Sequence, residues 1–81
     1  KWSKMTKLSL YLTSHCHLCE QAKLIINQAN LAPQTNHIEI SADEALMFEY
    51  GTRIPVLKRM DNFNERNWPF THSDLLTFIA S

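Results

Sequence analysis

Cys16 and Cys19, three residues apart, are the two residues of this 81-residue sequence whose type and spacing best suit chemistry. Before them, apolar and polar residues alternate over residues 8–13, which predicts a strand. After them, apolar residues recur at helical spacing, which predicts a helix that opens on Cys16. Both thiols would therefore lie in the first turn of a helix that directly follows a strand.

The first turn of a helix favours the ionised form of a thiol. Its backbone N–H groups lack partners within the helix, and it carries the positive end of the helix dipole. This position would lower the pKa of the Cys16 thiol below its usual range. Residues i and i+3 share one face of a helix, so Cys19 would lie within reach of Cys16. The pattern predicts a nucleophilic thiol with a resolving thiol beside it.

The cysteine pair also has plainer interpretations. Two cysteines three apart are half of a zinc site, or they form one structural disulfide. His15 and His17 flank Cys16, where a protonated histidine would stabilise a thiolate and a neutral one would be a third metal ligand. The alternative is that both are solvated side chains in an exposed turn. Two cysteines are too few for a disulfide scaffold, and one C-x-x-C at a strand-to-helix junction is more typical of cytosolic redox chemistry.

Length, composition and charge exclude several classes of protein. A chain of 81 residues with 44% apolar residues is expected to form a single domain over residues 1–81. No run of about 18 apolar residues predicts a transmembrane helix. Eight basic and eight acidic residues cancel, so neither a nucleic-acid partner nor a membrane surface is expected. The chain shows no secretion-signal pattern, although Lys1 is not a methionine, and a cytoplasmic location is expected.

The remaining elements follow from periodicity and from capping signals. Capping boxes at residues 41–44 and 71–74 predict helix starts, and Gly51 predicts a helix end. A tight turn is expected at residues 61–62. The predicted elements are a strand at 7–13, a helix at 16–30, strands at 35–40, 55–60 and 63–68, and helices at 43–50 and from 71. The order β-α-β-α-β-β-α predicts an α/β fold with a four-stranded mixed sheet flanked by helices.

Three segments of the sequence resemble the glutaredoxin-like branch of the thioredoxin-fold superfamily. They are LYLTSHCHLCEQA at residues 10–22, YGTRIPVL at residues 50–57 and WPF at residues 68–70. They look most like the small bacterial glutaredoxin-like proteins with a C-x-x-C motif, and the resemblance covers about residues 7–80. It implies the thioredoxin fold of the minimal glutaredoxin type.

The resemblance implies a thiol–disulfide oxidoreductase that acts on protein disulfides or glutathione mixed disulfides. Cys16 would be the exposed nucleophile and Cys19 the buried resolving thiol. Pro55 would follow a cis peptide bond and face the C-x-x-C, and the backbone of Ile54 would pair with the bound substrate. No cofactor is expected besides glutathione as a candidate co-substrate. A separate reductant would regenerate the dithiol of a monomeric protein.

The sequence departs from glutaredoxins at two places. His17 and Leu18 stand where glutaredoxins usually carry Pro-Tyr, and no glycine pair precedes the last helix. Ser73 and Asp74 would offer an N–H and a carboxylate to glutathione there instead. Arg53 would attract a carboxylate of glutathione or of a partner, or remain a solvated charge.

Two other functions remain open from the sequence. One is a metal or iron–sulfur binding module that uses the two cysteines and a flanking histidine. The other is a non-catalytic interaction domain.

Overall fold

One mixed sheet of four strands, in the order β2–β1–β3–β4, organises the computed structural model, which describes residues 7–80. β1 runs parallel to β2 and antiparallel to β3, and β3 runs antiparallel to β4. The predicted order of elements and the mixed sheet are therefore confirmed. The elements are β1 (Leu8–Leu12), α1 (His17–Gln28), a short 3-10 helix (Ala32–Gln34), β2 (Thr35–Glu39), α2 (Glu44–Tyr50), β3 (Val56–Arg59), β4 (Glu65–Asn67) and α3 (His72–Ala80).

The predicted domain also includes residues 1–6 and 81, which lie outside the described residues. No helix within residues 7–80 combines the length and the apolar character needed to cross a membrane.

β1 supplies side chains to two cores, one on each face of the sheet. Leu10 belongs to the larger core, which contains residues of α1 and α3. Tyr11 belongs to the smaller core, where its ring stacks on that of Tyr50 from α2 with a centroid distance of 4.1 Å. All five residues of β1 are buried, because the strand is central and helices cover both faces. Even Ser9 is buried, and its hydroxyl donates to Met60 Sδ at 3.2 Å.

The strand register brings four loops to one edge of the sheet. Leu12 pairs with Glu39 in the parallel β1–β2 ladder, so the ends of these strands lie side by side. Val56 pairs with Tyr11 on one side and with Asn67 on the other. The loops after β1, β2 and β4 and the loop before β3 therefore meet at this edge, which we call the cysteine edge because the β1–α1 loop leads to the two cysteines.

The hairpin of β3 and β4 has shorter strands and a longer turn than the sequence predicted. Phe63 was expected in the fourth strand, but its φ is 62°, a left-handed conformation that removes it from the ladder. The Phe63 N–H donates to the Arg59 carbonyl and the Arg59 N–H to the Asn64 carbonyl, each at 2.9 Å. The predicted turn at residues 61–62 is present, but it is part of a longer connection over residues 60–64.

The start of α2 differs from the prediction, because Asp43 rather than Ser41 is its N-cap. The Asp43 Oδ1 accepts hydrogen bonds from the N–H groups of Ala45 at 2.9 Å and Leu46 at 3.1 Å. The Ser41 hydroxyl donates to the carboxylate of Glu39 instead, at 2.6 Å. Ser41 is therefore bonded to the end of β2, and Asp43 caps the helix.

Both ends of α3 have hydrogen-bond partners outside the helix. At its start the predicted capping box is present. Thr71 Oγ1 accepts from the Asp74 N–H at 3.1 Å, and Asp74 Oδ2 accepts from the Thr71 N–H at 2.9 Å. At its end, Arg59 Nη1 donates to the carbonyls of Phe78 at 2.8 Å and Ile79 at 3.1 Å. The hairpin thus caps the last helix.

Arg59 is 5% exposed, and its guanidinium also pairs with Asp61 at 2.6 Å. Hydrogen bonds from Arg59 hold the pKa of Asp61 below its usual range. We expect Arg59→Ala to lower the midpoint of thermal unfolding by about 5–10 °C, because it leaves the Phe78 and Ile79 carbonyls and a carboxylate without their donor.

Lys23→Ala is the control for the Arg59 variant, since it removes a partly exposed cation paired with Glu20 on α1. Its midpoint should stay within about 2 °C of the unsubstituted protein. Calorimetry at neutral pH measures both midpoints. Equal midpoints for the two variants would show that the Arg59 contacts do not stabilise α3.

Candidate functional site

Cys16 is the N-cap of α1, so the helix begins one residue later than the sequence predicted. Its backbone is extended, with φ −104° and ψ 109°. Its Sγ accepts a hydrogen bond from the Cys19 N–H at 3.1 Å, and its carbonyl accepts one from the Glu20 N–H at 3.1 Å. A hydroxyl or carboxylate oxygen usually fills this position. Here the Cys16 sulfur accepts the hydrogen bond from an N–H of the first turn that has no partner within the helix.

Cys16 and Cys19 are joined by a disulfide, with their Cα atoms 5.1 Å apart. Their environments differ. Cys16 is partly exposed and packs at the margin of the larger core, whereas Cys19 is inside that core with no exposed surface. Cys16 is therefore the cysteine that a molecule outside the protein can contact, and Cys19 is shielded by the core.

The β1–α1 loop that carries Cys16 is bonded to the end of β2. The N–H of Ser14 donates to Glu39 Oε2 at 3.3 Å, and its hydroxyl donates to Glu39 Oε1 at 3.2 Å. His15 follows with φ 60°, in the left-handed region, and reverses the chain into the cap. Hydrogen bonds from Ser41 and then Ser14 hold the pKa of Glu39 below its usual range. Glu39 was not among the predicted site residues, because only the strand register brings it to this loop.

The two histidines beside Cys16 are exposed. His17 Nε2 lies 3.0 Å from Gln21 Nε2, one turn along α1. Within residues 7–80, no three His, Cys, Asp or Glu side chains are grouped so that they could hold a metal ion. The metal-binding alternative stays a prediction. Substrate contact by His15 and His17 stays a prediction.

The loop before β3 lies at the cysteine edge, and its Ile54–Pro55 peptide bond is cis. Pro55 is buried, and its carbonyl accepts a hydrogen bond from the Trp68 N–H at 3.2 Å. Ile54 packs against the same core as Cys16. The Trp68–Pro69 bond is also cis, and no signal in the local sequence indicated this. Two proline-containing segments thus stand side by side near the disulfide.

Arg53 is held by two carboxylates of the chain. Its guanidinium pairs with Glu65 at 3.0 Å and Glu49 at 3.2 Å, and it lies 4.9 Å from the centroid of the Tyr50 ring. The predicted contact of Arg53 with a substrate carboxylate stays a prediction. What the structure shows is that Arg53 joins α2 to β4 beside the Ile54–Pro55 segment.

Ser73 and Asp74 lie in the first turn of α3. The Asp74 carboxylate accepts the Thr71 N–H and pairs with Arg66 at 3.1 Å, and these contacts hold the pKa of Asp74 below its usual range. Ser73 is exposed. Their predicted contacts with glutathione stay a prediction, and Asp74 already has partners within the chain.

The sheet topology, the flanking helices and the disulfide at the mouth of α1 define a thioredoxin-fold protein with a C-x-x-C site. A family model described as "Glutaredoxin-like domain (DUF836)" matches residues 7–80. The chain belongs to this family, which confirms the resemblance to glutaredoxins and the expected fold. No curated protein matches the sequence significantly.

Solved structures agree with this assignment. The X-ray structure of protein XcR50 from X. campestris is 37% identical, with a TM-score of 0.83 over 90% of this chain and 95% of that one. Its solution structure, at 36% identity, has a TM-score of 0.81 over 91% and 92% of the two chains. The solution structure of protein Ne2328 from Nitrosomonas europaea is 26% identical, with a TM-score of 0.75 over 98% and 96%.

Tyr50, the last residue of α2, links this helix to β4, and the contact should depend on pH. Its hydroxyl donates to Glu65 Oε2 at 3.0 Å. Burial, and then this hydrogen bond, raise the pKa of Tyr50 above its usual range. A raised pKa in the folded state adds stability that is full below about pH 10 and is lost as the pH rises further.

We therefore expect the free energy of unfolding to fall above about pH 10, and to fall less steeply in Tyr50→Phe, which keeps the ring but cannot ionise. Urea unfolding between pH 8 and 11 measures both curves. If the two proteins lose stability equally over this range, ionisation of Tyr50 does not contribute to it.

Proposed function

We propose that the protein is a thiol–disulfide oxidoreductase that reduces protein disulfides or glutathione mixed disulfides, with Cys16 as nucleophile and Cys19 as resolving thiol. One observation carries the proposal. An accessible sulfur accepts the N–H at the mouth of α1, and a second, fully buried sulfur is already bonded to it.

The reaction needs two exchanges of thiolate for disulfide. The Cys16 thiolate attacks one sulfur of a substrate disulfide, forms a mixed disulfide and releases the other sulfur as a thiolate, which takes up a proton. The Cys19 sulfur then attacks Cys16 Sγ, and the proton of its thiol passes to the departing substrate sulfur. This forms the intramolecular disulfide and releases the second substrate thiol. Two electrons pass from the dithiol to the substrate.

The contacts of Cys16 support its assignment as the attacking group. In the reduced protein the Cys19 N–H and the helix dipole would stabilise a thiolate at the N-cap. Glu20, in the same turn, is a negative charge that would oppose this effect. Lys23 pairs with Glu20 at 2.9 Å and offsets part of that charge. The balance favours a Cys16 thiol pKa below its usual range.

The cysteine edge supports binding of an extended thiol-bearing chain. In this proposal the backbone of Ile54 and the segment at Pro55 contact the substrate beside Cys16, with His15 and His17 at its margin. Ser73 and Asp74 would receive glutathione. In this proposal the protein acts as a monomer in the reducing environment of the cytoplasm. A small-molecule thiol or a dithiol protein would reduce the Cys16–Cys19 disulfide again after each reaction.

Single cysteine variants test the assignment, because the chain has only two cysteines. Reduced Cys19→Ser should form a stable adduct of one glutathione on Cys16 when mixed with oxidised glutathione, since no resolving thiol remains. Cys16→Ser should form none, because the Cys19 sulfur is buried. Disulfide reductase activity should fall at least 100-fold in Cys16→Ser. Mass spectrometry of the intact protein and an insulin-reduction assay measure these outcomes.

His37→Ala is the control for the cysteine variants, because it changes an exposed residue of β2 and keeps both thiols. Its activity should match that of the unsubstituted protein. An adduct on Cys19 in Cys16→Ser, or full activity without Cys16, would reverse or remove the proposed roles. Oxidised glutathione and a disulfide-bonded peptide, compared at equal concentration, distinguish the two substrate classes.

A further inference from the structure

The carboxylate of Glu39 connects three segments of the chain at the cysteine edge. Glu39 ends β2, and its two oxygens accept hydrogen bonds from Ser14 of the β1–α1 loop and from Ser41 of the β2–α2 loop. Ser14 donates two hydrogen bonds to this carboxylate, one from its N–H and one from its hydroxyl. A single side chain therefore holds the loop on which Cys16 depends.

The bonds of Ser14 bear on Cys16 because only one residue separates them. That residue, His15, has φ 60°, a conformation that non-glycine residues adopt at a cost. Contacts on either side must maintain it. After His15, the hydrogen bond from the Cys19 N–H fixes Cys16. Before it, the bonds of Ser14 to Glu39 fix the chain.

We propose that Glu39 is a positioning residue for the nucleophile: by holding Ser14, it keeps Cys16 Sγ in the N-cap position where the Cys19 N–H stabilises its thiolate. The inference rests on the proposed function of Cys16. Glu39 does not touch the reacting sulfur, and it acts through the backbone of residues 14–16.

A substitution of Glu39 should change the pKa of the Cys16 thiol in opposite directions, depending on whether Glu39 acts by positioning the loop or through its charge. If the negative charge of Glu39 acted on Cys16 directly, removing it would lower the pKa of the Cys16 thiol. If Glu39 positions the loop, removing it lets Cys16 leave the cap, and the thiol pKa rises toward that of an ordinary cysteine. The sign of the change decides between the two.

The experiment measures the rate of iodoacetamide alkylation of Cys16 against pH, in full-length reduced protein carrying Cys19→Ser. Thiolate attack on the iodoacetamide carbon forms a thioether and releases iodide, so the rate follows the thiolate fraction. In Glu39→Ala the midpoint of the profile should move to higher pH, and the rate at pH 6.5 should fall about three- to tenfold. Glu39→Gln should lose less, because its amide oxygen can still accept one bond from Ser14.

Two serines provide a matched pair, because each donates its hydroxyl to the same carboxylate from a different segment. Ser14→Ala removes one of the two hydrogen bonds between the β1–α1 loop and Glu39, and it should slow alkylation about twofold at pH 6.5. Ser41→Ala removes the shorter bond, which comes from the β2–α2 loop at 2.6 Å, and should leave the rate unchanged. This pair decides the question if Glu39→Ala proves unable to fold.

Glu44→Gln controls for net charge, since it removes an exposed carboxylate from the first turn of α2. Its profile should match that of the Cys19→Ser parent. The proposal would be overturned if the midpoint fell in both Glu39→Ala and Glu39→Gln, or if it did not change in Glu39→Ala. Equal effects of Ser14→Ala and Ser41→Ala on the alkylation rate would also overturn it. These results are separate from the test of function, because alkylation reports on Cys16 even if the protein reduces no disulfide.

Discussion

The hydrogen bond from the Cys19 N–H to Cys16 Sγ is the contact on which the rest of the site depends. It places a sulfur where a helix N-cap usually carries oxygen. The same geometry does two things at once. It satisfies one of the unpaired N–H groups of α1, and it brings the second cysteine, at i+3, to the first. The same hydrogen bond therefore stabilises the start of α1 and, in the proposed function, the thiolate of Cys16.

The surroundings of this contact are built from two cores on opposite faces of one sheet. Cys19 is inside the larger core with the leucines of β1 and residues of α1 and α3, so the inner sulfur is fixed by packing. Cys16 stands at the margin of that core and is partly exposed. The two sulfurs differ because Cys16 is the N-cap at the start of α1, whereas Cys19 lies within the helix among the residues that pack into the core.

The charged residues near the site are engaged within the chain. Glu20 pairs with Lys23, and Arg53 with Glu49 and Glu65. Glu39 accepts four hydrogen bonds from two serines. The charges near the two cysteines are therefore used to hold loops and helices within the chain.

Local patterns in the sequence were sufficient for the strand and helix order, the capping box of α3 and the cysteine pair at the start of α1. Each of these depends on residues within one turn or one strand, so period and spacing report them directly. The resemblance to glutaredoxins added the prediction of a substrate site around Pro55. Boundaries were less well predicted, as at the start of α2, where the N-cap is Asp43 and not Ser41.

Only the tertiary structure decided which distant groups meet. The parallel register of β1 and β2 sets Leu12 beside Glu39, and that alone brings the Glu39 carboxylate to Ser14. The hairpin likewise carries Arg59 to the end of α3. Such contacts join residues about 20 or more positions apart, and no local period encodes them. Their physical cause is the pairing of strands, which depends on burying both faces of β1 at once.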